Sequence, residues 1–269
     1  MKEILLISLV AISFMLNGQN IPTSSMKFIE ESLSTADGEK VDLSEFNKTN
    51  FSEVWIENQD AVIGYIGDNY QRIHIRLVSV IKNQDTHNEY LVYGKSKVKN
   101  NICEFQGKFI ITHVREFNRT EREALYKEAL KHGDEEAISR LGKTRGFILA
   151  EYYLYENPEQ KGSGFFKGVV KSYFFINEKG ELFFDDLDLE YSDTYNNNQF
   201  LGVWQSYETG TQKPCNWGAY RIPEAGDLDI GVGEFSPNTK YLEKGWSTYY
   251  QAYNKSENAA KKEEETKWW

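Results

Sequence analysis

The chain has 269 residues, of which 14% are aromatic, and it carries a formal net charge of -10. The aromatic content excludes a disordered or collagen-like chain, because that much apolar area offsets the entropy lost on folding. The 31 basic residues against 41 acidic ones argue against nucleic acid as a partner, since a nucleic-acid binder needs surplus Lys and Arg to displace phosphate counterions.

Residues 1–18 are typical of a secretory signal peptide. Lys2 gives a positive start, 4–16 form an almost continuous apolar run, and Gly18 is the small residue expected before a cleavage site. The run is shorter than the roughly 20 residues that cross a bilayer as a helix. We therefore expect export to the periplasm or the extracellular space, without membrane insertion of the mature chain.

The Gly18-Gln19 ending of this leader resembles that of exported proteins of the Bacteroidota. The rest of the chain resembles the secreted, aromatic-rich, uncharacterised β proteins of that phylum in its general composition and strand pattern. The resemblance carries no family function and no site residue that could be transferred to this sequence.

An irregular lead-in, 19–50, opens the mature chain, and one helical pattern within it covers 26–33. A single β-rich domain is predicted to follow over 51–253. The first strands expected in this domain lie at 54–56, 61–66 and 70–77, and they precede a hairpin of 90–98 with 102–114.

The strand predicted at 70–77 alternates polar and apolar residues with period two. Arg72, His74 and Arg76 share one face of this strand. Two interpretations stay open from the sequence. The basic face is either plain surface, or it lines the interior of the fold and binds an anion.

One helical pair, predicted over 119–141, interrupts the strands. Further strands are expected before a charged tail, 254–269, which ends in Trp268-Trp269; these strands cover 147–155, 164–175, 181–191 and 200–207. About ten strands with one helical insertion predict a mainly β fold. We expect an antiparallel barrel or sandwich, with a lipocalin-like barrel as one such geometry.

The segment Gly202-Val203-Trp204 matches the Gly-x-Trp signature of lipocalins. In that family the signature normally opens the barrel, whereas here it comes late. The earlier segment Glu53-Val54-Trp55 lacks the glycine. The motif therefore does not assign the chain to the lipocalin family.

An aromatic cluster in the late strands is the first candidate binding site. Tryptophan and tyrosine beside an arginine provide the flat apolar faces and directed hydrogen bonds that a carbohydrate or aromatic ligand requires. The alternative is a core cluster of an aromatic-rich fold. The candidate ligand-binding residues are Trp204, Tyr207, Trp217, Tyr220 and Arg221.

A second candidate is a calcium site. Asp186, Asp188 and Glu190 would project from one face of the strand predicted at 181–191, and calcium takes six to eight oxygen ligands. The spacing is not that of an EF-hand. The alternative is a solvated strand face, in which case the protein needs no cofactor.

Cys103 and Cys215 are the only cysteines of the chain. In an oxidising compartment, two cysteines favour one disulfide bridge. The alternative is a pair of separate buried thiols.

The signal peptide and the absence of a catalytic signature favour an exported, non-catalytic β protein that binds a small molecule, a glycan or a protein. One alternative is a periplasmic or secreted hydrolase acting on glycan or peptide, with Asp229 and Glu234 as the carboxylates. Another is an inhibitor or immunity-type interaction protein, whose acidic charge would steer a basic partner.

Overall fold

Ten strands form the framework of the described chain. The structure is a computed structural model that describes residues 20–34, 38–117, 119–140, 144–177, 179–187, 189, 192 and 194–269, so the predicted signal peptide lies outside it. The strands are β1 (Gly38–Val41), β2 (Val62–Ile66), β3 (Gln71–Lys82), β4 (Glu89–Val98), β5 (Asn101–Phe117), β6 (Thr144–Glu156), β7 (Gly164–Ile176), β8 (Leu182–Phe184), β9 (Asn197–Ser206) and β10 (Gln212–Ala219).

Short helices flank these strands. The α-helices are α1 (Thr23–Ser34), α2 (Ser52–Ile56), α3 (Arg119–His132), α4 (Glu135–Arg140), α5 (Ser247–Tyr249) and α6 (Asn258–Glu264). A π-helical turn, Tyr250–Asn254, continues α5. Tight 3-10 turns are found at Leu43–Phe46, Gln59–Ala61, Gly226–Leu228 and Thr239–Lys244.

The strands form one antiparallel sheet that closes into a ring. Each ring strand pairs with the next ring strand along the chain, and β10 pairs with β2 to complete the circuit. The ring has eight of the ten strands, because β1 pairs only with β5 and β8 only with β7. The prediction of a mainly β, antiparallel fold is thereby confirmed.

Register shifts make this ring irregular. They fall between Leu77 and Ser79, between Ile111 and His113, and near the end of β10. Bulges of this kind bend strands and increase their twist. The sheet therefore closes without forming a regular barrel. The Gly-x-Trp segment lies in β9, the seventh of the eight ring strands in chain order, and not in the first.

Helix α2 fills one end of the ring. Trp55 is fully buried, packs against Tyr90 and Phe109 with ring centroids 5.0 Å apart, and donates its indole N–H to the Ser172 hydroxyl at 3.1 Å. Asn198 fixes the same helix by donating to the Val54 carbonyl at 2.8 Å. The predicted strand at 54–56 is therefore wrong. Three apolar residues do not distinguish a strand from a buried helical turn.

Two other predictions can be compared with the structure. The helical pair inserted between β5 and β6 is confirmed as α3 and α4, with the Asp134 carboxylate accepting from the Ala137 N–H at 2.9 Å. In place of the strand predicted at 181–191 the structure has β8, which ends at Phe184, and the described residues 185–187 and 189 are not in a strand. Asp185 turns away there, because its carboxylate is buried against Arg145.

The chain after β10 packs on the outer face of β2. Ile63 and Tyr65 of β2 contact a cluster that includes Leu228, Phe235 and Trp246. Helix α6 and the residues after it then cover the outer face of β3. Arg72 is buried under this cover, and His74 and Arg76 are partly exposed beside it. The basic face therefore lies outside the ring, and the interpretation that it lines the interior is wrong.

Candidate functional site

The end of the ring opposite α2 holds an open cleft. Four turns surround it: those after β2, β4, β6 and β9, because antiparallel strands bring alternate turns to the same end. The cleft has a volume of about 670 Å³. We call it the open-end cleft; its side-chain lining includes Ile66, Ile73, Ser96, Val98, Lys99, Glu156, Lys161, Phe166, Trp204 and Lys213.

A buried carboxylate is the polar centre of the open-end cleft. Glu156 is the last residue of β6 and is only 3% exposed. It accepts hydrogen bonds from the Trp204 indole N–H at 2.9 Å, from the Gly164 N–H at 2.8 Å, and from the Ser96 hydroxyl. This one side chain therefore connects the ends of four strands.

The electrostatic balance at Glu156 is set by two opposing effects. Burial raises the pKa of its carboxyl above the ordinary value, while the three donated hydrogen bonds act in the opposite direction. All three partners donate toward the oxygens, which stabilises the ionised form. The arrangement fixes the Trp204 ring in place beside the cleft.

Apolar side chains form the floor of the open-end cleft. Phe166, Ile73 and Ile66 are buried, and the half-buried Trp204 stands above them. The Phe166 ring packs edge-on against Trp217, with centroids 5.9 Å apart. The floor is thus rigidly supported by the core beneath it, and it offers an apolar surface to a bound molecule.

Three lysines form the rim of the cleft. Lys99, Lys161 and Lys213 are exposed, and none of them forms an ion pair with another residue in the described part of the chain. The Lys213 ammonium lies 5.8 Å from the centroid of the Trp204 ring. A local excess of positive charge in a chain of net charge -10 creates a field that attracts anions.

The structure separates the aromatic cluster predicted from the sequence. Trp204 lines the open-end cleft, but Trp217 is 1% exposed and stacks on Phe200 in the core, with centroids 4.7 Å apart. Tyr207 follows β9 and stacks on Phe165, with centroids 6.0 Å apart. The cluster is therefore not one site: Trp204 and Trp217 share the inner face but lie at different levels along the strands, and Tyr207 lies on the opposite face.

Tyr220 and Arg221 lie at the other end of β10, away from the open-end cleft. Arg221 contacts the Asp229 carboxylate at 2.5 Å, the Gly231 carbonyl at 3.2 Å and the Gly233 carbonyl. Tyr220 packs edge-on against Tyr195. Arg221 therefore organises the loop after β10, which accounts for its conformation without a ligand.

The carboxylate proposed for hydrolysis has a structural role in the same loop. Asp229 accepts from the Gly231 and Ser236 N–H groups at 2.9 and 3.1 Å and pairs with Arg221. Its oxygens are therefore occupied by the loop itself. Glu234 is exposed.

The predicted disulfide is not formed. Cys103 and Cys215 are both buried and both free. They lie on β5 and β10, which are separated by three strands on either path around the ring. Burial raises the pKa of the Cys103 thiol to about 11 and that of Cys215 well above its ordinary value, so both are neutral thiols.

The predicted calcium site falls largely outside the described residues, since Asp188 and Glu190 are not among them. Asp186 is exposed and follows the end of β8. No group of three or more His, Cys, Asp or Glu side chains that could hold a metal ion occurs among the residues that the structure describes. Calcium binding by this segment stays a prediction.

Sequence reasoning missed Glu156 and the three lysines. A signal for Glu156 exists, because it continues the inward-facing series of β6 through Tyr152 and Leu154. A carboxylate at a core-facing position is a buried polar group that requires partners. The lysines have no such signal, since they are distant in sequence and lie around the same cleft only because the sheet closes into a ring.

Across the described ranges, no helix is long and apolar enough to span a membrane. Comparison of the chain with protein-family models, with curated proteins and with solved structures found no match.

Proposed function

We propose that the protein is an exported, non-catalytic binding protein whose open-end cleft holds a small organic anion with an apolar body. The observation that carries this proposal is the pairing of a preformed apolar floor with three unpaired lysines at the rim. Each part of the cleft selects one part of such a ligand.

The floor supports an apolar ligand body. Phe166 and Ile73 are held by the core, and Trp204 is held by its hydrogen bond to Glu156, so little ordering is needed on binding. Preorganisation of this kind increases affinity because fewer side chains are immobilised by the ligand. The volume of about 670 Å³ lies within the range of roughly 300–1,000 Å³ that is usual for small-molecule sites.

The rim supports an anionic group on the ligand. Lys99, Lys161 and Lys213 are free to turn toward a carboxylate or sulfonate, since no described carboxylate holds them. The one acid of the lining, Glu156, is enclosed by its three donors below the rim. The net charge that a ligand meets at the rim is therefore positive.

The lining also supports binding rather than catalysis. Glycoside hydrolysis needs two carboxyls facing one substrate, and Glu156 is the one acid among the lining residues. None of those lining residues is a histidine or a cysteine.

A matched pair of fluorescent probes tests this proposal. 8-Anilinonaphthalene-1-sulfonate is an aromatic anion, and N-phenyl-1-naphthylamine has nearly the same apolar body without the charge. We expect the purified protein to bind the sulfonate more tightly, and dodecanoate to displace it. Combining Lys99→Gln, Lys161→Gln and Lys213→Gln should weaken sulfonate binding about tenfold, with little effect on the uncharged probe.

The control combines Lys48→Gln, Lys127→Gln and Lys179→Gln, three exposed lysines outside the cleft, and it changes the net charge equally. This control should bind both probes as the wild type does. Equal loss of sulfonate affinity in both triple variants would show a general charge effect and reject the site. Failure of dodecanoate to displace the sulfonate would also reject it.

Export has a separate test. The apolar leader at 1–18 supports it. Full-length protein with a C-terminal tag, expressed in a bacterial host, should be recovered from the periplasm or medium with its N-terminus at Gln19. Recovery of the uncleaved chain from the cytoplasm alone would contradict export.

A further inference from the structure

The C-terminal segment forms a second cleft against the outer face of β3. This cleft, which we call the tail cleft, has a volume of about 510 Å³ and lies between β3 and the chain from Tyr249 onward. Its principal side chains are Arg72, His74, Arg76, Tyr253, Trp268 and Trp269. It is separate from the open-end cleft, which has none of these residues in its lining.

A buried ion pair holds the tail in place. The Arg72 guanidinium contacts both carboxylate oxygens of Glu264, at 2.7 and 2.5 Å, and lies 5.3 Å from the Trp246 ring centroid. Both side chains of the pair are less than 9% exposed. The walls of the tail cleft are therefore fixed rather than formed by a freely moving end.

Two indoles form the apolar wall. The Trp268 and Trp269 rings are almost perpendicular, at 82°, with centroids 5.8 Å apart. The Arg76 guanidinium lies 4.2 Å from the Trp269 centroid, and the His74 ring meets Trp268 edge-on at 5.8 Å. Both indoles stay partly exposed, and neither indole N–H donates to another described residue.

Unused hydrogen-bonding groups point to a ligand. Arg72 is 6% exposed, yet its Nε–H has no hydrogen-bond partner in the structure. A buried donor without a partner destabilises its surroundings, so this region is not optimised for the fold alone. His74 adds a neutral imidazole, which offers one donor and one acceptor, because burial lowers its pKa to about 3.

The charges around the tail cleft balance. Three cationic side chains, Arg72, Arg76 and Lys267, are matched by three acidic ones, Asp60, Glu264 and Glu265. Side chains whose charges balance in this way give no strong preference for an anion or for a cation. Perpendicular aromatic faces with separate donors and acceptors instead suit a neutral molecule that has both apolar faces and hydroxyl groups.

We infer that the tail cleft binds a neutral oligosaccharide. The pyranose faces would pack on Trp269 and Trp268, and hydroxyl groups would bond with the His74 imidazole. This site is independent of the open-end cleft and would stand if the proposed anion site failed.

A panel of trisaccharides tests the inference on the full mature chain. The neutral probes are maltotriose, cellotriose, mannotriose and triacetylchitotriose, and trigalacturonic acid is the charged probe. Titration followed by tryptophan fluorescence and by saturation-transfer NMR should show binding of at least one neutral probe and none of the acid. Binding of the acid alone, or of none of the probes, would overturn the inference.

Variants then locate the binding. Trp269→Ala should weaken the neutral probe about tenfold, as expected for loss of an aromatic anchor. Trp269→Ala could act by loosening the tail. His74 lies on β3 and not on the tail, so weaker binding by His74→Gln would locate the ligand in the cleft independently of tail docking. Tyr250→Ala, on the same segment but outside the lining, is the matched control and should bind normally. Unchanged affinity in both Trp269→Ala and His74→Gln would also overturn the inference.

Discussion

The Trp204 indole donates a hydrogen bond to the Glu156 carboxylate over 2.9 Å at the open end of the ring. The bond joins β9 to β6 across the intervening β7. It serves the core and the cleft together, because the same contact satisfies a buried carboxylate oxygen and sets the position of the half-buried indole ring.

Trp204→Phe removes this bond while keeping an aromatic ring. The free energy of unfolding should fall by about 1.5–3 kcal/mol, the usual worth of a hydrogen bond to a charged group. Urea unfolding followed by circular dichroism measures the change. Tyr207→Phe is the control, since the Tyr207 hydroxyl donates to no described residue, and it should leave stability unchanged. Equal stability of both variants would show that the bond contributes nothing.

Replacement by phenylalanine should change the free energy of unfolding in opposite directions at two buried tyrosines. The Tyr152 hydroxyl is fully buried without a hydrogen-bond partner and lies in the space where the Cβ atoms of Gly168 and Gly202 would otherwise stand. The Tyr90 hydroxyl, also buried, accepts from the Phe51 N–H at 3.2 Å. The two side chains therefore differ in whether their polar atom is satisfied.

Tyr152→Phe should raise the free energy of unfolding by about 1 kcal/mol, because it removes an unsatisfied buried group. Tyr90→Phe should lower it by about the same amount, because the Phe51 N–H loses its acceptor. Chemical denaturation of both variants under one set of conditions gives the comparison. A loss of stability in Tyr152→Phe would mean that this hydroxyl has a partner in solution, such as an ordered water.

The buried ion pair between Arg72 and Glu264 should stabilise the docking of the tail against β3. Glu264→Gln leaves the buried guanidinium without its counter-charge, which typically costs about 3–5 kcal/mol. Trypsin should then cleave the tail at Lys261 and Lys262 on the order of 100-fold faster, since cleavage follows the population of the undocked tail. Glu263→Gln changes an exposed acid of the same helix and should leave the rate unchanged.

The sequence predicts the strand pattern better than it predicts the sites. Period-two alternation identified β3 correctly, but the residue that covers Arg72 lies 192 positions away, and no local pattern reports such a contact. Of the aromatic residues predicted in β9 and β10, Trp204 lines the open-end cleft. The aromatic segment is not a single site, because ring closure sends Trp217 into the core and leaves Trp204 at the open end.

Short segments account for the other errors. Trp55 was predicted in a strand, but it belongs to a five-residue helix. This helix is stabilised because it packs the Trp55 side chain into the core at the end of the ring. Asp185 ends β8 early because its carboxylate is 1% exposed and bonded to Arg145. Both outcomes depend on tertiary partners, which override local preference in short segments.

His74 predicts the pH dependence of stability. Its pKa falls from 6.5 to about 3 on folding, because burial and then the nearby charges of Arg72 and Lys97 disfavour the protonated ring. Between these two values only the unfolded chain takes up the proton. Stability from this residue is therefore fully present above pH 6.5 and is lost as the pH falls toward 3, by at most about 1.4 kcal/mol per pH unit.

His74→Gln should remove this dependence. The difference in unfolding free energy between wild type and His74→Gln should be constant above pH 7 and should shift by about 1–2 kcal/mol against the wild type by pH 5. The other charged groups of the tail cleft are present in both proteins, so the difference between them isolates His74. Urea unfolding at pH 7.5, 6.5, 5.5 and 5.0 measures the difference. A difference that stays constant down to pH 5 would show that His74 is protonated in the folded protein, and that the tail cleft is wetter and less firmly covered than its contacts indicate.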